Sequence, residues 1–125
     1  MNYKIVTKFI KDISFEIPNV ETLLFLENNL EKYNVKVDIT SKPIKQRIVQ
    51  VDTILKFEND TEVEKKAQIE ITLSAVVKIE TDLENKKELQ EIILIHVPTD
   101  VYPMLFEIFA LLIEKSGLPK MKIEK

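Results

Sequence analysis

The side chains that carry most enzyme chemistry are scarce in this sequence. Among its 125 residues there is one histidine, His96, and there is no cysteine. The chain therefore lacks the partners for a Ser-His-Asp triad, a thiolate nucleophile, and a cysteine or two-histidine metal site. The single glycine, Gly117, excludes a glycine-rich phosphate-binding loop. These counts predict a protein that is not an enzyme and that holds no metal and no cofactor.

The remaining candidates for chemistry are His96 and one pair of carboxylates. His96 stands in an apolar run beside Pro98, so a structural or surface role is the simpler interpretation and a chemical role is the alternative. Asp12 and Glu16 lie four residues apart on a predicted strand, which separates them by about 13 Å. That distance is too long for the two carboxylates of a glycosidase. A solvated surface is the simplest interpretation of the pair.

Composition narrows the class of protein further. The 18 basic and 21 acidic residues alternate along the chain, so no basic stripe is available for nucleic acid. Hydrophobic residues make up 45% of the chain, which supports one domain over residues 1–125. The longest apolar run, residues 101–113, is shorter than the ~18 residues of a membrane span. We therefore expect a cytoplasmic protein with no nucleic-acid partner and no membrane insertion.

Four segments alternate apolar and polar residues with a period of two, which predicts strands buried on one face. They cover residues 4–17, 33–40, 49–58 and 66–80. In the first segment, the predicted buried face holds Ile5, Phe9, Ile13, Phe15 and Ile17. The predicted polar face of that segment includes Lys8. Pro43 is expected to end the second strand, residues 58–62 to form a turn, and Asn19 to cap a short helix within residues 18–32.

A long helix is predicted near the C-terminus. Thr99 or Asp100 can cap its start, and Gly117 is a suitable residue to end it. Residues 88–97 are compatible with either a helix or a strand, and Pro98 should end that element. The predicted fold is therefore of the α+β class: a four-stranded antiparallel sheet followed by a long helix packed on one face.

This helix is apolar around most of its circumference. One sheet covers only one stripe of a helix, so the other side needs a second surface. An oligomer supplies that surface, and a foreign partner helix is the alternative. The residues expected at the contact between subunits are Met104, Leu105, Ile108, Phe109 and Leu112.

A second apolar segment follows the first strand. Four consecutive large apolar residues, 23–26, are difficult to bury completely in a connection between strands. They either cap the core or line a partly exposed groove. The residues expected to line that groove are Phe15, Ile17, Val20, Leu23, Leu24, Phe25 and Leu26.

Three motifs resemble the SecB family of protein-export chaperones. Residues 9–19 read FIKDISFEIPN, which is similar to the family signature Y-x-K-D-I-S-F-E-x-P-N. Val97-Pro98 followed by Tyr102-Pro103 resembles the element that opens the family's long helix, and residues 116–119 resemble its exit. The sequence departs from the family at Ser74-Ala75, where the family has two glycines. It also lacks the family's tryptophan and stops at Lys125, where the family usually continues into a second helix and an acidic tail.

The resemblance implies a fold and a function. It implies an ATP-independent chaperone that holds unfolded preproteins in apolar grooves and delivers them to the translocation ATPase SecA. It also implies a homotetramer built as a dimer of dimers, and a SecA-docking face that includes Asp12, Glu16 and Glu70. The alternative function is that of a SecB-like chaperone dedicated to a toxin–antitoxin module. An enzyme or small-ligand binder on the same scaffold is a third possibility, with no catalytic constellation to support it.

Overall fold

A computed structural model of the protein describes residues 2–28, 33–59 and 67–117. The described chain forms four β-strands, a short helix between the first two strands, and a long helix at the end. The elements are β1 (Tyr3–Glu16), α1 (Val20–Asn28), β2 (Tyr33–Lys45), β3 (Ile48–Asn59), β4 (Gln68–Ile79), α2 (Lys86–Glu91), a π-helical segment (Ile92–His96) and α3 (Val97–Lys115). This arrangement confirms the predicted α+β fold class.

The strands form one antiparallel sheet in the order β1-β4-β3-β2, so β4 and β3 are central and β1 and β2 are its edges. Alternate residues of β4, from Ile69 to Ile79, are almost completely buried. They lie on the side that contacts α3, which we call the helix face; the opposite side is the outer face. The burial of apolar area on the helix face is the main stabilising contribution to the fold.

Two β-bulges interrupt the alternation in β1. The register against β4 shifts between Ile5 and Thr7 and again between Ile10 and Asp12. Each bulge inserts one residue, so the stretch between them has the opposite phase to the rest of the strand. Phe9 therefore lies on the outer face and Lys8 on the helix face, contrary to the predicted alternation. Outside the bulges, residues 13 and 15 lie on the helix face as predicted.

β2 continues through Pro43, so the prediction that this proline ends the strand is wrong. Pro43 pairs with Val49 of β3. Because β2 is an edge strand, proline's missing N–H is tolerated there. The chain turns instead at Gln46 and Arg47, and Arg47 takes a positive φ of 64°. The Arg47 guanidinium donates a 3.0 Å hydrogen bond to the carbonyl oxygen of Thr81, which ties this turn to the segment after β4.

The connection between β1 and β2 contains the predicted short helix. The side-chain oxygen of Asn19 accepts hydrogen bonds from the backbone N–H and the hydroxyl of Thr22, each at 2.8 Å. Asn19 therefore caps α1 as predicted. Residues 29–32 lie outside the described residues. The predicted turn over residues 58–62 is described only as far as Asn59, where β3 ends.

The C-terminal helix is longer than predicted, because α2, the π-helical segment and α3 form one continuous helix. The prediction that Pro98 ends an element is wrong. In a regular α-helix, the proline ring clashes with the carbonyl four residues earlier. Here the backbone N–H of Val97 donates to the carbonyl of Ile92, five residues earlier, which widens the helix just before Pro98. The hydroxyl of Thr99 donates to the carbonyl of Ile95 at 2.6 Å.

One stripe of the long helix packs on the sheet. Its members recur every four residues and are almost completely buried: Val97, Val101, Leu105, Phe109 and Ile113. The Phe109 ring lies 5.5 Å from the ring of Phe57, which in turn stacks on Tyr33 at 5.1 Å. Leu105 and Phe109 thus belong to the core of the single chain, which corrects their assignment to a subunit contact. By length and composition alone the helix could cross a membrane, a test that core helices also pass.

Candidate functional site

α1 presents apolar side chains to solvent. Val20 is 66% exposed and Leu24 is 51% exposed, whereas Leu23 and Phe25 are half-buried against the core. Thr22 and Leu26, four residues apart, form the buried side of the helix. A nine-residue helix with one buried side does not bury all of its apolar residues, so Val20 and Leu24 remain on the surface.

The end of β1 extends this apolar surface. Phe15 and Ile17 are both half-buried and pack against the core. Leu26 is only 1% exposed and lies within the core, which removes it from the predicted groove. The structure brings the other six predicted groove residues together along one stretch of chain. We call them the α1 surface: Phe15, Ile17, Val20, Leu23, Leu24 and Phe25.

The three predicted docking carboxylates all lie on the outer face of the sheet. Asp12 is opposite Thr72, Glu16 is opposite Gln68, and Glu70 is opposite Ser14. Asp12 and Glu16 are exposed, and Glu70 is partly exposed. The side chain of Glu70 lies 3.7 Å from the ammonium of Lys56 on β3. An exposed pair of this kind is worth under about 1 kcal/mol, so Glu70 stays available to a partner.

A carboxylate that the sequence did not single out occupies the centre of the same face. Asp52 is only 9% exposed, and its Oδ2 accepts from the Lys11 ammonium at 2.9 Å. Its Oδ1 accepts from the Ser74 hydroxyl at 2.5 Å and from the Gln50 amide at 2.9 Å. Gln50 and Asp52 are two residues apart on β3, but Lys11 and Ser74 come from β1 and β4, and the bulge at Lys11 helps to bring them together, so no local spacing predicts the set. We call them the Asp52 cluster.

The hydrogen bonds of this cluster hold the carboxylate in its ionised form. Burial raises the pKa of Asp52, but the donors Ser74, Gln50 and Lys11, together with the Lys11 charge, outweigh it and lower the pKa below its usual 3.8. Asp52 is therefore a carboxylate at neutral pH. Because its pKa is lower in the folded than in the unfolded protein, it stabilises the fold above about pH 4.

A third surface lies along α3, beside the stripe that packs on the sheet. Met104, Ile108 and Leu112 are half-buried, and Leu111 is 52% exposed. Met104, Ile108 and Leu112, which are predicted contact residues, share one flank of the helix because they are spaced four residues apart. They are therefore available to another subunit, whereas Leu105 and Phe109 are not.

His96 lies at a polar cavity of about 540 Å³ between the start of β1 and the long helix. Its ring is 6.2 Å from the ring of Tyr3. The Tyr3 hydroxyl donates to Asp100 at 2.6 Å, and burial together with this carboxylate raises the pKa of Tyr3 to about 12. Tyr3 is thus a neutral hydrogen-bond donor that ties β1 to α3. Among the described residues, no three His, Cys, Asp or Glu side chains are placed to hold a metal ion.

Comparison with known families identifies the chain. The family model of SecB, described as preprotein translocase subunit SecB, matches residues 1–125. The chain belongs to the SecB family. SecB-family proteins are chaperones of protein export rather than enzymes.

Curated relatives carry the same family name. A putative protein-export protein SecB of Pelagibacter ubique is 44% identical over 124 residues, which cover 99% of this chain and 89% of the relative. The SecB of Anaplasma phagocytophilum is 27% identical and is covered over 82% of its length. A solved SecB-like chaperone of Mycobacterium tuberculosis, in complex with a ChAD peptide from an antitoxin, superposes with a TM-score of 0.69. The two chains are 12% identical, and the superposition covers 99% of this chain and 90% of the M. tuberculosis chain. The fold is therefore shared.

The lowered pKa of Asp52 predicts how stability changes with pH. As the pH falls below about 4, the native protein should progressively lose the contribution of Asp52, because the unfolded state takes up the proton more readily. Asp52→Asn should lower the urea midpoint at pH 6 and flatten its decline towards pH 3. Asp38→Asn, which removes an exposed carboxylate from the same face, is the control. An equally steep decline in Asp52→Asn and in the native protein would contradict the prediction.

Proposed function

We propose that this SecB-family protein is an ATP-independent cytoplasmic chaperone that binds non-native preproteins through the α1 surface and keeps them competent for SecA-dependent export. The observation that carries the proposal is the exposure of Val20 and Leu24 on α1, next to the half-buried Phe15 and Ile17. Unfolded clients present apolar side chains and unpaired backbone rather than a fixed shape. Exposed apolar side chains close in sequence to the edge strand β1 suit both features.

ATP independence rests on the chain's own composition. A phosphate-binding loop requires several glycines close together, and the chain has one glycine in all. Binding and release of clients would then depend on affinity and on hand-over to a partner, rather than on nucleotide hydrolysis.

The second candidate is a dedicated chaperone of a toxin–antitoxin module. The M. tuberculosis protein with the same fold is solved with an antitoxin peptide, which supports this candidate at the level of fold alone. The 44% identical relative is named as a protein-export protein, which favours the export role. A general export chaperone should suppress the aggregation of several unrelated unfolded proteins. A dedicated chaperone should suppress the aggregation of its one client only.

We expect Val20→Ser with Leu24→Ser to weaken the binding of unfolded clients by about ten-fold or more. Both side chains are more than half exposed, so their loss removes contact area without opening a cavity. The measurement is the dissociation constant for a reduced, unfolded client, together with the chaperone concentration that suppresses its aggregation by half.

The control for that experiment removes a similar apolar area elsewhere. Ile44 and Leu83 are also exposed and lie at the opposite end of the sheet from α1. Ile44→Ser with Leu83→Ser should leave client affinity within about two-fold of the native protein. If the two double variants lost affinity equally, clients would bind to exposed apolar side chains in general and not specifically to the α1 surface.

We propose further that the protein assembles as a homotetramer, a dimer of dimers, through the flank of α3 that carries Met104, Ile108 and Leu112. These side chains remain half-buried after the sheet has covered its stripe of the helix. A second subunit would bury the rest of each side chain, which would contribute about half of the roughly 1.5–3 kcal/mol that burial of a fully exposed apolar side chain provides.

Ile108→Glu should therefore dissociate the particle, because a carboxylate cannot be buried among apolar side chains without a partner. The mass in solution, measured by light scattering, is expected to fall from four chains of 14.6 kDa to one or two. Gln90→Glu places one negative charge at an exposed position of the same long helix and should leave the mass unchanged. A tetrameric Ile108→Glu protein would show that this flank is not the contact.

The outer face is proposed as the docking surface for SecA, with Asp12, Glu16 and Glu70 as its charged contacts. All three carboxylates lie on one face and retain solvent exposure. Exposed charges steer a partner and set the salt dependence of binding more than they add affinity.

Replacing the three carboxylates by Asp12→Asn, Glu16→Gln and Glu70→Gln should weaken SecA binding at low salt. The distance over which exposed charges interact falls to about 10 Å at 0.1 M salt. The native protein should therefore lose affinity for SecA as the salt concentration rises, and the triple variant should lose less. Glu84→Gln, Glu91→Gln and Glu114→Gln together make the same change in net charge away from the outer face. If this control loses as much affinity as the docking variant, net charge and not the outer face governs binding.

A further inference from the structure

The bulge at Lys11 sets the register of the first half of β1. Pairing with β4 passes from Ile10 opposite Leu73 to Asp12 opposite Thr72, so Lys11 is the inserted residue. An inserted residue reverses the faces of every residue between it and the next bulge. The choice of register therefore decides which of these side chains reach the outer face.

In this register, the apolar side chains of β1 do not all lie on the helix face. Phe9 lies on the outer face opposite Ser74 and remains 42% exposed. Lys8 lies on the helix face opposite Ala75. The reverse arrangement would cover Phe9 and place Lys8 in water, but it would also move Ile10 from the helix face, where it lies opposite Leu73, to the outer face.

A register without bulges would give that reverse arrangement. Continuing the pairing of Asp12 without an insertion places Phe9 opposite Ala75 on the helix face and Lys8 on the outer face. It also places Lys11 opposite Leu73, so that a charged ammonium points towards the core. The observed register leaves Phe9 on the outer face and Lys8 on the helix face, whereas the register without bulges would exchange these for Ile10 and Lys11.

The Asp52 cluster decides between them. In the observed register the Lys11 ammonium reaches Oδ2 of Asp52 at 2.9 Å, on the outer face. The other carboxylate oxygen is already held by Ser74 and Gln50. Withdrawing Lys11 would leave a carboxylate that is only 9% exposed without its cation, which is strongly unfavourable.

The consequence is an aromatic ring on the proposed docking face. Phe9 and Asp12 are neighbouring outer-face positions of β1, on either side of the bulge. An exposed phenylalanine beside carboxylates suits a partner surface that combines apolar and basic side chains. Aromatic residues are enriched among the strongest contacts of interfaces.

We propose that Lys11 and Asp52 are positioning residues that hold the bulged register of β1 and thereby present Phe9 as an apolar contact of the SecA-docking face. The second half of this proposal rests on the proposed docking function. The first half concerns the register alone and is measured without any partner.

Disulfide trapping reads the register directly, because the native chain has no cysteine. Thr7 is opposite Val76 in the observed register, and Lys8 would be opposite Val76 in the register without bulges. We expect Thr7→Cys with Val76→Cys to form a disulfide readily, and Lys8→Cys with Val76→Cys to form little. Adding Lys11→Met to each pair should shift the ratio of the two yields by about ten-fold or more towards Lys8→Cys.

Two further variants separate the ion pair from general effects of charge. Lys11→Arg keeps a cation that can reach Asp52 and should restore the native ratio. Lys56→Met removes the cation of the exposed pair with Glu70 on the same face and should leave the ratio unchanged. If the disulfide from Thr7→Cys still dominates in Lys11→Met, the ion pair does not set the register and the proposal is overturned.

SecA binding tests the role of Phe9. Phe9→Ala should weaken it by about five-fold or more at low salt, whereas Ile10→Ala, a neighbour of similar exposure on the helix face, should stay within about two-fold. Equal effects of the two variants would overturn the contact. Absence of binding by the native protein would overturn the docking function and Phe9's part in it, while the disulfide ratio still decides the role of Lys11 and Asp52.

Discussion

The fold depends on one constraint: a single stripe of the long helix must cover the apolar face of the sheet. The stripe recurs every four residues through α3 and meets the alternate residues of β4, so both elements are fully buried where they meet. The remaining apolar side chains of α3 and α1 can pack only around the edges of this contact. Several of them stay partly exposed, and together with Phe15 and Ile17 they make up the proposed client and subunit surfaces.

The two faces of the sheet thereby acquire different chemistry. The centre of the helix face is buried by side chains of the same chain and forms the core. The outer face is open and combines carboxylates, lysines and a few apolar side chains, with Asp52 as its nearly buried centre. In a chaperone of the SecB family, this separation would allow client binding and partner docking to occupy different sides of one small molecule.

The sequence predicted the elements better than it predicted their phase. The alternation of β4 and the cap of α1 at Asn19 agree with the structure, because each depends on local side-chain pattern or on one hydrogen bond.

The face of Phe9 was predicted wrongly, since an inserted residue leaves no trace in a simple alternating pattern. Pro98 predicts the end of a helix, but here it follows a π-helical segment in which Val97 N–H bonds to the carbonyl of Ile92, and the helix continues. The Asp52 cluster depends on contacts between strands distant in sequence, which no local pattern contains. Leu26, one of the residues predicted to line the groove, lies in the core, because periodicity alone does not show which side of α1 is buried.

The uninterrupted passage of the helix through the π-helical segment has a dimensional consequence. From Lys86 to Lys115 it spans 30 residues, or about 45 Å, which matches the roughly 40 Å length of a 12-residue strand. One helix is therefore long enough to cover the sheet from end to end. It is not wide enough: a helix is about 10 Å across, whereas four strands spaced at about 4.8 Å extend over nearly 20 Å. The uncovered margins fall on β1 and β2, where Ile10, Ile13 and Val35 are exposed, so the width of the sheet sets how much apolar surface the chain keeps for other molecules.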